Sequence, residues 1–413
     1  MPASSGTGVY GTVVGNYDLN NSITISSGDT VTLEDHVTNC NYFYIEAGAT
    51  LVGAGYSITV DNETSSNWSF INAGTISGVL DVVITNPNEV AALNFNGQSG
   101  NVRNLTINHA DCIATLDDED MTLDGDLTII AGELTTLDQD GSTSRNLTVK
   151  GNTKVTGTLT GNDSTLIFGT DGSHGSVEQG TLWVEAAGSF TFGSGDVTVF
   201  GGITAKGTEA APCITSTGGG DILIKGRTNN GFMNSHNHHG VNITGDYIID
   251  YDATGIFDSR GGTTIACGTF IIKHDGRTYE PWSNSGQDLF KIIGNMSITQ
   301  GTFDTEYSGQ DSQNMEVTGT CTIGDGSGSA DTAVITGNSS PSISFGSLVI
   351  NSDGKYDATP NTTTITGGFR PADVAGTLTL NGGAWELGGT GGLFEGDLLK
   401  NEREVRIKQD FAL

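Results

Sequence analysis

Short apolar runs separated by turn residues fill the chain from Ser22 onwards. In residues 22–25, 30–33 and 42–45, apolar positions alternate with Thr, Ser or Tyr, the pattern of a half-buried strand. Gly, Asn or Asp lies close after most of these runs, as a tight turn requires. No apolar stripe of helical period appears before the C-terminal segment. The pattern therefore predicts an all-β protein.

The strand-like runs recur at intervals that predict a coiled architecture. Leu105, Leu127 and Leu147 each open a Leu-Thr-aliphatic triplet, and they lie 22 and then 20 residues apart. Intervals of this size match one coil of a solenoid with two or three short strands and turns between them. A β-sandwich would also supply short strands, but it predicts hairpin turns at regular places, and these are missing.

A longer frame, meaning the order and spacing of apolar and Gly positions, also repeats. The frame of residues 126–202 occurs again in residues 295–368, where most other side chains differ. Asp126-Leu-Thr-Ile corresponds to Asn295-Met-Ser-Ile, and the offset between the copies drifts only from 169 to 166 residues. Such a frame keeps apolar and Gly positions and lets the other positions vary. The sequence therefore predicts a parallel β-solenoid, with a right-handed β-helix as the expected form. Apolar residues should point inward, and Thr, Ser and Asn ladders should coat the outside.

The regularity of the pattern divides the chain into five segments. Residues 1–20 are predicted to be a flexible or attachment arm, and residues 21–227 a regular β-solenoid. The frame loosens into loop-rich, irregular coils of the same solenoid at residues 228–290 and is regular again at 291–392. Residues 393–413 carry four of the 17 basic residues. We expect this tail to cap the solenoid or to make an oligomer contact, because an end coil exposes unpaired strand groups.

The charge of the chain excludes some partners. Lys plus Arg number 17 against 48 Asp plus Glu, for a net charge of −31. This charge repels phosphate backbones and anionic lipid surfaces, so we expect no nucleic-acid partner. No apolar run approaches the roughly 18 residues of a membrane span, so we expect no membrane insertion. Residues 1–8 show no secretory signal.

The five cysteines are widely spaced and form no CxxC pair, which argues against a zinc ribbon or a disulfide framework. Cys112, Cys267 and Cys321 lie in or beside strand-like runs, so we expect small buried apolar side chains there. Ten Asn-x-Ser/Thr sequons occur, including those at Asn104, Asn146 and Asn295. We interpret these asparagines as ladder residues rather than glycan sites.

Long polar and aromatic residues gather in residues 228–290, where the solenoid is expected to extrude loops. The candidates for carbohydrate contact are Asp258, Arg260, Asp275, Arg277, Tyr279 and Trp282. A catalytic alternative uses paired carboxylates from Asp258, Asp275 and Glu280 for glycoside hydrolysis, or an arginine of the same segment for β-elimination.

Two clusters suggest metal ligands, although each has a simpler explanation. His236, His238 and His239 lack an identifiable further ligand, which favours an exposed polar loop over a zinc site. Residues 117–126 concentrate carboxylates as calcium ligands would be, but match neither known calcium-loop spacing. A solvated acidic turn is the simpler interpretation, with structural calcium as the alternative. No P-loop, nucleophile elbow or dinucleotide fingerprint is present, so we expect neither a cofactor nor catalysis.

The pattern Asn/Asp-Leu/Met-x-Ile-x-x-Gly-x-Phe/Leu-x-Thr occurs at residues 126–136 and 295–305, with a companion pattern at 346–356. It resembles the Gly/Thr/Asn-rich β-helical repeats of virion appendage proteins, fibres and spikes among them, of tailed bacteriophages. The resemblance covers residues 100–385. It implies a structural virion protein on the particle surface, often a homotrimer, that contacts other virion proteins and supports attachment to a host glycan or receptor.

Two other functions remain open at this point. A polysaccharide-degrading β-helix related to tailspikes would place its groove near residues 230–290. A secreted bacterial adhesin or matrix protein would share similar repeats, but would be expected to carry a signal segment. The phage interpretation is favoured because no such segment is visible in this sequence.

Overall fold

The computed structural model describes residues 22–61, 68–85, 91–95, 101–117, 119–170, 180–225, 232–233, 238–250, 255–258, 263–273, 278–282, 289–305, 314–327, 333–336, 342–357, 361–370, 377–379, 385–387 and 405–407. Every regular element in these residues is a β-strand. The chain forms two compact units, Met1–Val197 and Thr198–Leu413. Within each unit the strands stack in parallel as a β-solenoid, which confirms the predicted fold class.

Unit 1 is built from short strands. They are β1 (Ile23–Ile25), β2 (Thr30–Thr32), β3 (Val37–Cys40), β4 (Phe43–Ile45), β5 (Thr50–Val52), β6 (Ser57–Val60), β7 (Trp68–Asn72), β8 (Thr75–Ser77), β9 (Leu80–Ile84), β10 (Ala91–Asn94), β11 (Val102–Leu116), β12 (Met121–Leu123), β13 (Leu127–Thr135), β14 (Leu147–Val149), β15 (Thr153–Val155), β16 (Thr158–Thr160), β17 (Leu166–Phe168), β18 (Leu182–Val184) and β19 (Ser189–Phe192). The next strand, β20 (Val197–Val199), spans the boundary between the units.

Each coil of unit 1 crosses up to three faces. Face A contains β1, β4, β7, β10, the C-terminal parts of β11 and β13, β16 and β19. Face B contains β2, β5 and β8, and further along the chain β12, β14 and β17. Face C contains β3, β6, β9, the N-terminal parts of β11 and β13, β15 and β18.

Unit 2 repeats the arrangement with longer strands. They are β21 (Ile203–Lys206), β22 (Ile214–Ser216), β23 (Ile222–Ile224), β24 (Phe232–Met233), β25 (His238–Asn242), β26 (Tyr247–Ile249), β27 (Gly255–Asp258), β28 (Thr263–Ile272), β29 (Thr278–Trp282), β30 (Leu289–Ile298), β31 (Gly301–Asp304), β32 (Asn314–Ile323), β33 (Ala333–Thr336), β34 (Ile343–Ile350), β35 (Gly354–Asp357), β36 (Thr363–Ile365), β37 (Phe369–Arg370), β38 (Thr377–Thr379), β39 (Trp385–Leu387) and β40 (Val405–Ile407).

Three faces also make up unit 2. Face A′ contains β24, β27, β29, β31, β33, β35 and β38. Face B′ contains β25, the first halves of β28, β30, β32 and β34, and then β36, β39 and β40. Face C′ contains β23, β26, the second halves of the same four long strands, and β37.

The repeated sequence frame corresponds to a repeated backbone frame. Residues 127–129 are a strand segment of face C, and residues 296–298 are a strand segment of face C′. Each segment is followed by a glycine of positive φ, Gly132 at 80° and Gly301 at 90°, which turns the chain onto face A or A′. The two copies therefore share a local strand-turn-strand geometry.

The interior of each unit is a stack of apolar and aromatic side chains. In unit 1, Phe43, Phe70 and Phe95 follow one another with ring centroids 5.5 Å and 5.1 Å apart. In unit 2, Tyr247 stacks on Phe270 at 5.7 Å, and Phe270 meets Phe290 edge-on at 5.9 Å. All of these rings are buried. Because burying one such side chain stabilises by about 1.5–3 kcal/mol, these stacks are a major source of stability.

Asn and Asp side chains connect the coils on the outside and form a polar ladder, made of Asp81, Asn104, Asp126 and Asn152, beside face C. The Oδ1 atom of each accepts a hydrogen bond from a backbone N–H one coil later. The donors are Asn104 at 3.2 Å, Asp126 at 2.8 Å, Asn152 at 2.8 Å and Thr181 at 3.2 Å. The polar ladder therefore fixes the register of successive coils at the residue that precedes or enters each strand.

The same device occurs beside other faces. Asn146 Oδ1 accepts from the N–H of Thr165 at 2.9 Å in unit 1. In unit 2, Asn295 Oδ1 accepts from the N–H of Thr320 at 3.0 Å, and Asn314 Oδ1 from the N–H of Ser342 at 2.9 Å. The interpretation of Asn104, Asn146 and Asn295 as ladder residues is therefore confirmed.

Glycines at the coil corners allow the backbones to approach closely. A Cβ atom added at Gly319, Gly346 or Gly367 would lie within 2.6 Å of the carbonyl oxygen of the corner glycine one coil earlier. At Gly132 the added atom would collide with the carbonyl oxygens of His109 and Cys112. Any side chain at these corners would push two coils apart.

Substitution of Gly132 by Ala should therefore destabilise unit 1 strongly. Gly141→Ala is the matched control, because Gly141 also has a positive φ, 71°, but an added Cβ there meets no atom within 4 Å. We expect the control to lose only about 1–2 kcal/mol, the penalty of a left-handed conformation. Gly132→Ala should lose several-fold more in guanidinium unfolding. Equal losses for the two variants would contradict the close packing of the corners.

Candidate functional site

The predicted carbohydrate contacts lie on face A′ as far as the structure describes them. Asp258 ends β27 and is the backbone neighbour of Trp282 on β29, and Gly255 pairs with Tyr279. Tyr279 also pairs with Phe303 on the next coil, and Phe303 is fully buried. Adjacent coils therefore bring Asp258 and Trp282 together in register. Arg260, Asp275 and Arg277 lie outside the described residues.

The proposed catalytic carboxylates are not brought opposite one another. Glu280 pairs with Ile256, whereas Asp258 pairs with Trp282. The two acidic residues are therefore offset by two positions along the strands. The third candidate, Asp275, lies outside the described residues.

Two of the three clustered histidines fall within the described residues. His238 and His239 begin β25 and pair with Ala205 and Lys206 of β21. His236 lies outside the described residues. The neighbouring strands therefore place an alanine and a lysine beside this histidine pair.

Carboxylates of the acidic segment 117–126 serve separate structural contacts. Glu119 Oε1 accepts a hydrogen bond from the N–H of Phe95 at 2.7 Å, and Asp120 binds both the N–H and the side-chain amide of Asn146. Asp124 forms an ion pair with Lys150, and Asp126 is part of the polar ladder. Within the described residues, no group of three or more His, Cys, Asp or Glu is arranged to hold a metal ion. Structural calcium remains a prediction.

All five cysteines are buried and carry free thiols. Burial raises the pKa of Cys40, Cys112 and Cys267 to about 12, so these thiols stay protonated at neutral pH. The expectation of small buried apolar side chains at Cys112, Cys267 and Cys321 is confirmed.

A hydrogen-bonded turn surrounds Asp138, a site the sequence analysis did not identify. Its Oδ1 accepts from the N–H groups of Ser142 at 3.0 Å and Thr143 at 3.2 Å, and Arg145 contacts its Oδ2 at 3.3 Å. Desolvation acts to raise the pKa of Asp138. The hydrogen bonds of Asp138 with Asp140 and with the backbone N–H groups of Thr143 and Ser142 outweigh desolvation and lower its pKa to about 2. The Asp-x-Asp-Gly-Ser-Thr sequence was a signal of this turn.

Two further carboxylates accept hydrogen bonds from a serine, Asp163 from the next coil and Asp325 within its own turn. Both the backbone N–H and the hydroxyl of Ser194 bind Asp163 and lower its pKa. The hydroxyl and backbone N–H of Ser327 do the same for Asp325. The described acidic residues with a lowered pKa thus accept hydrogen bonds from nearby backbone N–H and hydroxyl groups.

The stability of the protein should fall in acid because of these groups. A folded-state pKa below the unfolded value of about 3.9 contributes stability that is present above that pH and lost as pH falls. For Asp138 the loss should extend from about pH 4 to about 2. Thermal unfolding at pH 7, 4 and 2.5 should show a smaller acid loss in Asp138→Asn than in the wild type. Asp111→Asn, whose carboxylate is 74% exposed, is the control and should behave as the wild type.

An aromatic pair lies on the outer side of face A in the first coils. Tyr42 and Tyr44 are half-buried, and their ring centroids are 6.0 Å apart with an interplanar angle of 26°. Phe43 between them points inward and is buried. The alternation Tyr-Phe-Tyr in the sequence was a signal of this arrangement, since alternate strand residues share a face.

Comparisons with known proteins found no matching family model, no similar curated protein and no similar solved structure. Within the described residues, no helix has the length and apolar character needed to span a membrane.

Proposed function

We propose that this chain is a non-enzymatic structural protein of a tailed-phage particle, a fibre, spike or other surface appendage that mediates or supports host attachment. The observation that carries the proposal is the use of polar side chains to connect coils. In both units, Asn and Asp oxygens bind the backbone of the next coil, at the same positions of the repeated sequence frame. A scaffold of this kind can hold a binding surface away from its attachment point.

The surface chemistry is consistent with an extracellular, particle-bound position. The net charge of −31 keeps such a protein soluble and weakens contact with nucleic acid and anionic lipid. The partners we propose are further copies of the chain in a homotrimer, other virion proteins and a glycan of the host surface. Asp258 and Trp282, neighbours on face A′, are the proposed glycan contacts among the described residues.

The first test is the mass of the purified protein in solution, together with negative-stain images. We expect three times the chain mass of 42.8 kDa and elongated particles, because fibres of the resembled class are trimeric. A monomer would contradict the fibre model. The same preparation should bind host surface polysaccharide without releasing new reducing ends. If the protein instead cleaves the polysaccharide, and Asp258→Ala or Glu280→Ala abolishes the cleavage, the chain is a polysaccharide-degrading enzyme.

A further inference from the structure

The outer side of face A carries a patch whose chemistry suits a sugar. We define the tyrosine patch as Thr24, Tyr42, Tyr44, Ile71 and Asn94. Tyr44 is in register with Thr24 on the preceding coil and with Ile71 on the following coil, and Ile71 is in register with Asn94. Parallel strands lie about 4.8 Å apart, so these side chains form one row across four coils.

The row combines the group types that bind carbohydrate. Tyr42 and Tyr44 offer aromatic carbon surface, and Ile71 extends it. Thr24 contributes an exposed hydroxyl at one end of the row. Partial burial and then the neighbouring Tyr44 raise the pKa of Tyr42, so its phenol stays neutral and can donate a hydrogen bond. An apolar surface flanked by a few polar groups is typical of small-ligand sites.

The charge around the patch determines the class of sugar. Residues 1–102 contain nine Asp and Glu residues and no Lys or Arg. One of these, Glu46, follows Tyr44 closely and accepts the N–H of Ser27 at 2.9 Å. A chain segment with acidic and no basic residues disfavours carboxylated, sulfated or phosphorylated sugars. The patch therefore fits a neutral polysaccharide.

We propose that the tyrosine patch is a binding site for a neutral glycan chain, separate from the proposed contacts on face A′. The inference deepens the proposed attachment function and rests on it. The ring faces of Tyr42 and Tyr44 would contact the C–H faces of sugar rings, and the hydroxyl of Thr24 would bind a sugar hydroxyl.

The test uses the full chain and immobilised polysaccharides of known charge, neutral mannan, galactan and β-glucan against acidic alginate and hyaluronate. We expect binding to at least one neutral polymer and none to the acidic ones. Tyr44→Thr should weaken that binding about two- to tenfold, the size expected for losing one aromatic contact. Thr is chosen because Thr24 occupies the same register position one coil earlier, so the strand tolerates it.

Tyr56→Thr is the matched control, because Tyr56 lies in the same part of the chain but packs edge-on against His36 at 5.4 Å. It should bind as the wild type does. Tyr42→Ala provides a second variant of the patch, and the circular dichroism of each variant checks its fold.

Three outcomes would overturn the inference. Binding that survives Tyr44→Thr and Tyr42→Ala but is lost in Trp282→Ala would place the glycan on face A′ and leave the attachment function intact. Binding to acidic polymers only, or trimers that bind none of the polymers, would refute the tyrosine patch while leaving the structural function in place. Conversely, if the protein is a monomer and its glycan binding depends on Tyr42 and Tyr44, the fibre model is refuted and the tyrosine patch is supported.

Discussion

Hydrogen bonding between successive coils is the constraint on which this structure depends. A short strand of three residues has too little backbone to fix its own register, and a slip of one residue would turn its apolar side chains outward. The polar ladder prevents this slip, because Asn104 and Asp126 bind the backbone at the point where a strand of the next coil begins. The corner glycines add a second constraint, since they let the coils approach closely only in this register.

The constraint leaves the outward strand positions free to vary. Residues 127–129 and 296–298 share inward aliphatic positions and corner glycines, yet the residues beside them differ between the copies. Function can therefore change along the solenoid without a change of fold, and a binding surface needs only a few outward residues from adjacent coils. The proposed contacts at Trp282 and at Tyr44 are two such surfaces, one in each unit.

The sequence predicted the features that depend on periodicity. The 22-residue interval from Leu105 to Leu127 is one coil, whereas Leu147 pairs with Met121 on face B, so the following 20-residue interval was wrong as a coil repeat. The sequons pointed to ladder asparagines. Contacts between side chains on different coils were not predictable, because loop lengths set which residues become neighbours. The row that joins Tyr44 to Ile71 depends on a coil-to-coil register that no local pattern reveals. The turn around Asp138 was missed because its donors come from an excursion between strands.

The most direct test of this account is the equilibrium unfolding of the double variant Asn104→Ala, Asp126→Ala by guanidinium. The substitutions remove two successive rungs of the polar ladder and no inward side chain. Asn104 Nδ2 also donates to Asp81 Oδ1 at 3.1 Å, so three hydrogen bonds are lost. At about 1 kcal/mol for each, we predict a loss of about 3 kcal/mol in the free energy of unfolding of unit 1. Asp111→Ala, at an exposed position, should change it by less than about 0.5 kcal/mol. A double variant as stable as this control would contradict the central role of the ladder.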